Sequence, residues 1–135
     1  RGTIMAAQHL VSAALAVLLC GAVGNAQAQA DGALPEGVTP GMVTAGGSIF
    51  KGSGMCTVCH GIDGRGGVGP NLTDGTWLHS KGSYSEIVQQ ITAGVPTKQS
   101  KSGIPMPPRG GSGISEAQVK DVAAYVWTLS HPGAK

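Results

Sequence analysis

The stretch Cys56-Thr57-Val58-Cys59-His60 constrains this 135-residue chain more than any other. Two cysteines three residues apart, followed at once by a histidine, are the attachment signature of a covalently bound haem. Residues i and i+3 lie on the same face of a helical turn, so both thiols can reach the vinyl groups of one porphyrin. The adjacent imidazole can then reach the iron from the same side. The motif therefore predicts one covalent haem, with thioether bonds at Cys56 and Cys59 and with His60 as the proximal iron ligand.

Two other interpretations of these residues are a redox dithiol and a structural zinc site. A Cys-x-x-Cys redox motif is typical of a βαβ context, whereas the flanks here are glycine-rich loops and helical patterns. A structural zinc site needs about four Cys and His ligands. The third cysteine, Cys20, lies in an apolar N-terminal segment, and only His79 and His131 follow the motif. Haem attachment is therefore favoured over both alternatives.

The N-terminal residues have the pattern of a secretory signal peptide. Gly2–Ala30 contains no Asp, Glu, Lys or Arg, and Leu10–Val23 is mostly Leu, Ala and Val. Residues 26–30 offer two small-x-small cleavage sites. An uncleaved membrane anchor is the alternative, but the apolar run is shorter than the ~20 residues that a spanning helix needs. A lipid anchor at Cys20 is disfavoured because the residue before it is bulky. We therefore expect export, to the periplasm.

The sequence predicts three parts: a signal peptide over 1–30, a flexible leader over 31–38, and one haem domain over 39–135. Aromatic residues are only 4% of the chain, yet a domain of about 100 residues must bury much of its surface to be stable. A haem, which is flat and largely apolar, would supply the missing core. One of the nine basic residues is Arg1, so eight remain from Asp31 onward against seven acidic residues. This balance gives no sign of nucleic-acid binding.

Helix signals recur along the domain, and no strand pattern appears. Thr39 before Pro40 is a typical helix start, with an N-cap residue followed by a proline whose missing N–H does no harm. Capping boxes open two further helices at Ser83 and Ser115. The loop 61–75 is dense in glycine, and loops of that length in compact domains are uncommon unless functional. The predicted helices cover residues 40–51, 84–93 and 116–129.

The second axial position of the iron decides function. A side chain in that position closes the site for electron transfer, whereas an open position allows small molecules to bind. Met106 lies within Pro105–Pro108, and these prolines reduce the entropy lost in presenting its thioether to the iron. Met55 is tethered beside the haem motif on the proximal side. Met106 is therefore the favoured distal ligand, with His79 as the alternative.

Several stretches together resemble a class I cytochrome c, and most closely the small bacterial single-haem cytochromes and the haem domains of oxidase and dehydrogenase subunits. The resemblance covers residues 43–130. It implies an all-α, cytochrome c-like fold of three to five helices wrapped around one covalently bound haem c. The stretches that carry it are Phe50, Cys56–Gly61, Gly69–Leu72, Pro105–Pro107 and Val122–Ser130.

The resemblance also implies contacts and roles. Gly46 and Phe50 on the first helix would meet Tyr125 on the last. The Pro70 carbonyl would accept the ring hydrogen bond of the proximal histidine. Trp77 would lie at the haem edge as a propionate partner, although packing beneath the loop explains it equally well.

Two departures from the family pattern stand out. The spacing from Phe50 to Cys56 is two residues longer than expected. The segment 95–103 is also long, and it is interpreted either as an insertion or as a docking loop.

Function follows from these expectations. The chain is predicted to be an exported, non-enzymatic carrier that moves one electron between a donor and an acceptor protein, with a membrane oxidase or a periplasmic dehydrogenase as candidate partners. His/Met ligation is expected to raise the reduction potential. The alternatives are an internal relay subunit of a dehydrogenase or terminal oxidase complex, and an open-site haem sensor or peroxidase-like protein.

Overall fold

The computed structural model describes residues 32–134. These residues form α1 (Pro40–Lys51), α2 (Thr57–His60), α3 (Tyr84–Ala93) and α4 (Glu116–Leu129), with one 3₁₀ turn over Pro108–Gly111. Within them no β-strand forms, and the only strand-like pairing is an isolated bridge between Val95 and Met106. The expected all-α fold is confirmed.

The predicted signal peptide lies outside the described residues, as does the first residue of the predicted leader. Over 32–134 we find no helix that combines the length and the apolar character needed to cross a bilayer. Leu34 packs against the core and Val38 is buried. The division of the chain into signal, leader and domain stays a prediction.

Helix α1 starts where the sequence predicts it. The Thr39 hydroxyl accepts a hydrogen bond from the Met42 amide at 3.3 Å, and Pro40 occupies the first helical turn. The helix ends at Lys51, and a turn leads from it to the haem motif. In that turn Gly54 N donates to Ile49 O at 2.8 Å. The longer segment between Phe50 and Cys56 is therefore a hydrogen-bonded turn at the end of α1.

Helices α1 and α4 cross at a glycine. A Cβ atom added at Gly46 would overlap the carbonyl oxygen of Asp121 and lie 3.0 Å from Tyr125 Cβ. The Phe50 ring packs against the Tyr125 ring, with centroids 5.3 Å apart and planes tilted by 57°. The crossing implied by the family resemblance is confirmed, and it depends on a backbone approach that only glycine permits.

Both long helices after the haem motif begin with a complete capping box. In α3 the Ser83 hydroxyl accepts from Glu86 N at 3.4 Å, and the Glu86 carboxylate accepts from Ser83 N at 3.0 Å. Ser115 and Gln118 make the same reciprocal pair at the start of α4. Hydrogen bonds from the Ser83 hydroxyl and backbone to the Glu86 carboxylate hold the pKa of Glu86 below its ordinary value.

Replacing Ser83 with alanine is expected to lower the free energy of unfolding by about 1 kcal/mol, since the first turn of α3 loses its N-cap. Denaturant unfolding of the haem-loaded protein measures this. Gln89→Ala, at an exposed position of the same helix, is the control and should change stability by less than about 0.5 kcal/mol. If Ser83→Ala lowers the free energy of unfolding no more than Gln89→Ala does, the capping role is wrong.

The capping box also has a predicted pH dependence. The folded-state pKa of Glu86 is lowered, so its carboxylate stabilises the fold fully above its unfolded pKa of about 4.3. That stabilisation is lost as the pH falls through the folded-state pKa. The stability difference between the wild type and Glu86→Gln should therefore shrink on acidification.

The hydrophobic core lies between α1, α3 and α4. Its largest fully buried side chains are Phe50, Val119 and Val122. The same core forms the floor of a cavity on one side of the molecule. The core residues that also line this cavity are Phe50, Ile87, Ile91, Val122 and Val126.

Candidate haem site

A cavity of about 470 Å³ lies above this part of the core, and its volume is in the range of ligand and cofactor sites. Apolar side chains form most of its wall. All six residues predicted for the haem site line it: Cys56, Cys59, His60, Pro70, Trp77 and Met106.

The short helix α2 brings three of these residues to the cavity. Cys56 is its N-cap, and Cys59 and His60 end its single turn. Both cysteines are half-buried free thiols, and Cys56 Sγ donates to Gly54 O at 3.4 Å. Burial is the main cause that raises the pKa of the Cys56 thiol, and the charge of Cys59 adds to it. One helical turn and its N-cap therefore present two thiols and an imidazole to the same space.

His60 is buried, and its ring has a defined orientation. Its Nδ1 atom lies 2.9 Å from the carbonyl oxygen of Pro70. A carbonyl only accepts, so Nδ1 carries the proton and Nε2 keeps the lone pair that can bind a metal. A Cβ atom at Gly69 would lie 3.1 Å from His60 Cε1, so the glycine lets this loop pass close to the ring. The hydrogen bond implied by the family resemblance is present.

Met106 reaches the cavity from a different part of the chain. It is half-buried, and its backbone forms two hydrogen bonds with Val95, at 2.8 and 2.9 Å. Val95 is itself buried. The fold thus gathers an imidazole and a thioether, the two predicted axial ligands, around one cavity.

Trp77 is half-buried, lines the cavity and packs against the core. Its indole nitrogen lies against Gly82, where an added Cβ atom would overlap it. This position is compatible with both interpretations of Trp77, the haem edge and packing beneath the loop. Its role in holding a cofactor stays a prediction.

Some cavity residues carry no recognisable signal in the sequence. Val58, Val68 and Ile104 line the cavity and are 75%, 49% and 50% exposed. They lie in loops or on the single turn of α2, where no hydrophobic periodicity marks them. The one hint in the sequence is that these residues are apolar and lie in the haem motif itself, as Val58 does, or in glycine- and proline-rich loops, as Val68 and Ile104 do.

The two described histidines outside the motif, His79 and His131, lie at the surface. His79 is exposed at the cavity wall. His131 is exposed, but it also stacks on Trp127 with centroids 3.8 Å apart and planes 7° apart. Over residues 32–134 no group of three or more His, Cys, Asp or Glu side chains could hold a metal ion.

Replacing His79 with alanine is expected to leave the absorption spectrum of the haem-loaded protein unchanged, since this exposed side chain is not the favoured ligand. The ferric and ferrous spectra of the variant measure this. Loss of the low-spin spectrum would instead identify His79 as the distal ligand and overturn the assignment of Met106.

Comparison with known proteins identifies the family. Residues 41–126 match the family described as cytochrome c oxidase, cbb3-type, subunit III. The chain belongs to this family. It is a class I c-type cytochrome, as the resemblance implied, and electron transport by a haem-bearing domain is confirmed at this coarse level.

The curated relatives of this cytochrome are oxidase subunits. Cbb3-type cytochrome c oxidase subunit CcoP of Rubrivivax gelatinosus is 43% identical over 76 residues, which is 56% of this chain and 22% of the relative. The CcoP subunit of Rhodobacter capsulatus is 37% identical over 91 residues, 64% of this chain and 29% of the relative. The FixP subunit of Azorhizobium caulinodans is 38% identical over 76 residues, 56% and 26% of the two chains. The cytochrome thus spans less than a third of the length of these relatives.

A solved structure shares the fold. Cytochrome cL from Methylophaga aminisulfidivorans superimposes with a TM-score of 0.53 at 20% sequence identity, over 66% of this chain and 53% of that chain. At this level of identity the likeness shows the fold alone.

The side chains of the cavity fit the haem c that membership of the family implies. The wall is mostly apolar, α2 and its N-cap supply two free thiols and an imidazole with an available Nε2 atom, and a methionine lines the same space. Cys56 and Cys59 would hold the haem through thioether bonds, and His60 and Met106 would hold its iron. When bound, the haem supplies a one-electron couple at that iron. The individual roles of these residues stay predictions.

Proposed function

We propose that this cytochrome is the haem domain of a relay subunit in a membrane oxidase complex, and that it passes single electrons toward the catalytic subunit. The observation that carries the proposal is the match of residues 41–126 to the cbb3-type subunit III family, together with curated relatives that are themselves oxidase subunits. A relay within an oxidase complex is therefore favoured over a freely diffusing exported carrier. The chain itself makes and breaks no bond in a substrate.

The arrangement of the site supports one-electron transfer. In this proposal His60 and Met106 would both hold the haem iron, which would leave no coordination site for a small molecule. The Pro70 carbonyl holds the His60 ring in one tautomer and one orientation. The core gives the site an apolar floor, and this together with Met/His ligation favours a raised reduction potential.

The proposed location is the periplasmic side of the membrane. Covalent haem attachment takes place outside the cytoplasm in proteins of this kind, and the predicted signal segment over 1–30 agrees with export. The proposed partners are a soluble or membrane-bound electron donor and the next redox centre of the oxidase. Contact with a diffusing donor is expected to be small and short-lived.

Purification from native membranes under mild detergent tests the relay. The relay predicts that the haem-stained chain elutes with large oxidase subunits and that oxygen consumption follows the same fractions. A pool of the free haem protein in the periplasmic extract, with none in the oxidase fraction, would instead establish the diffusing carrier. Carbon monoxide distinguishes the remaining alternative, since an open-site sensor or peroxidase-like protein binds it in the ferrous state without denaturation.

A further inference from the structure

We infer that Gly94, the residue that ends α3, is a positioning residue for Met106. The end of α3, rather than the loop that joins it to Met106, then sets where the thioether lies. This inference rests on the proposed ligation by Met106 and extends it to a residue that touches neither the haem motif nor the cavity.

The first support is the backbone pairing at the base of the loop. Val95 N donates to Met106 O at 2.8 Å, and Met106 N donates to Val95 O at 2.9 Å. These two reciprocal bonds hold the Met106 main chain beside the residue that directly follows Gly94. The position of Met106 is thereby tied to the end of α3.

The second support is the close approach at Gly94 itself. Its φ and ψ angles are 71° and −169°, a backbone conformation that is essentially restricted to glycine. A Cβ atom here would overlap the Met106 carbonyl oxygen and lie 2.8 Å from both Pro107 C and Pro108 N. All three are backbone atoms, so no side-chain rotation can relieve the contact. An alanine at position 94 must push the segment 106–108 away from α3.

The third support is that α3 is itself anchored. Ile87 and Ile91 are 3% and 7% exposed and pack into the core. On the far side of Met106 the chain is held again, because Arg109 Nη1 donates to Ile114 O at 2.9 Å. Met106 therefore lies between two anchored parts of the chain, helix α3 on one side and the Arg109–Ile114 hydrogen bond on the other. Its bridge to Val95 lies at the end of α3.

The intervening loop, by contrast, has its own local structure. Gln99 N and Ser100 N both donate to Pro96 O, at 2.9 and 3.1 Å, and most of residues 96–105 are exposed. The long segment noted in the sequence thus begins and ends at the Val95–Met106 pair, and part of it, Ser100–Ser102 and Ile104, lines the cavity. Its length need not alter the position of Met106, which agrees with the interpretation as an insertion.

Gly94→Ala tests the inference, and Gly103→Ala is its matched control. Gly103 has a φ angle of 74°, close to that of Gly94, but an added Cβ atom meets nothing within 4 Å. Both variants place alanine on a left-handed backbone at the two sides of the same loop, and only Gly94→Ala presses on the Met106 segment. The haem-loaded proteins are compared by the near-infrared sulfur-to-iron band of the ferric form, the reduction potential and carbon monoxide binding to the ferrous form.

The expected result is that Gly94→Ala loses most of the near-infrared band, has a lower potential and binds carbon monoxide, whereas Gly103→Ala matches the wild type in all three. An unchanged band in Gly94→Ala, beside a lost band in Met106→Ala, would overturn the inference and leave the ligation intact. Equal losses in both glycine variants would also overturn it, since loop strain alone would then explain them. A band that survives Met106→Ala would overturn the ligation itself.

If Gly94→Ala does not fold, amide hydrogen exchange of the wild-type haem-loaded protein tests the inference instead. The amides of Val95 and Met106 are expected to be protected to the same degree and far more than the amide of Ser102 in the exposed loop. Exchange of the Met106 amide as fast as that of Ser102 would show that α3 does not hold it, and would overturn the inference.

Discussion

Replacing Met106 with alanine is expected to abolish the near-infrared sulfur-to-iron band of the ferric protein and to open the ferrous iron to carbon monoxide. Met106 lines the same cavity as His60, and alanine has no sulfur to donate. We expect the reduction potential to fall on the order of 0.1 V or more, within the roughly 0.8 V range over which axial ligands tune haem proteins. Absorption spectra and a redox titration of the haem-loaded variant measure these changes.

Two other methionines of the same domain are controls for this prediction. Met55 also lines the cavity, next to the first cysteine of the motif, and Met42 lies in α1. Alanine at either position should leave the band and the potential near their wild-type values. If Met55→Ala or Met42→Ala removed the band while Met106→Ala kept it, the assignment of the distal ligand would be wrong.

Replacing Gly46 with alanine is expected to lower the free energy of unfolding by about 3 kcal/mol or more, at the upper end of what overpacking costs. The added methyl group would overlap the Asp121 carbonyl oxygen, which belongs to the backbone of α4. The two helices must therefore separate, and the packing of Phe50 on Tyr125 is lost with them. Denaturant unfolding of the haem-loaded protein gives the size of the effect.

Gly41→Ala is the matched control in the same helix. A Cβ atom there would meet only Thr39 Oγ1, at an ordinary distance of 3.6 Å. Alanine is the better helix former, so the free energy of unfolding of this variant should rise by up to about 1 kcal/mol. If Gly46→Ala lowers the free energy of unfolding and Gly41→Ala raises it, the loss at Gly46 comes from the helix crossing. If both variants raise it, helix propensity explains both effects.

The helices were predictable because their ends depend on neighbouring residues. Thr39, Ser83 and Ser115 each accept a hydrogen bond from the amide three positions ahead, so the signal and the structure lie within one turn of each other. The periodic apolar face of α4 is likewise a local pattern. The observed bounds of α1, α3 and α4 agree with the predicted ones for this reason.

The loops could not be predicted in the same way. The sequence predicts that α3 ends at residue 93, but the contact of Gly94 with the backbone of Met106–Pro108 depends on where a later part of the chain returns. The stacking of His131 on Trp127 and the cavity contacts of Ile104 are of the same kind. Glycine and proline specify that a chain turns, but they do not specify which part of the protein it then meets.

By itself the sequence determined which cofactor this protein can bind. Cys56, Cys59 and His60 lie within a single helical turn, so their joint action on one haem follows from spacing alone. Only the tertiary structure decided that Pro70 meets the His60 ring and that Met106 faces the same cavity. The Pro70 contact depends on the path of a glycine-rich loop, and the place of Met106 depends on how α3 packs against α4. Such long-range contacts are fixed by packing of the whole domain, which no local pattern in the chain records.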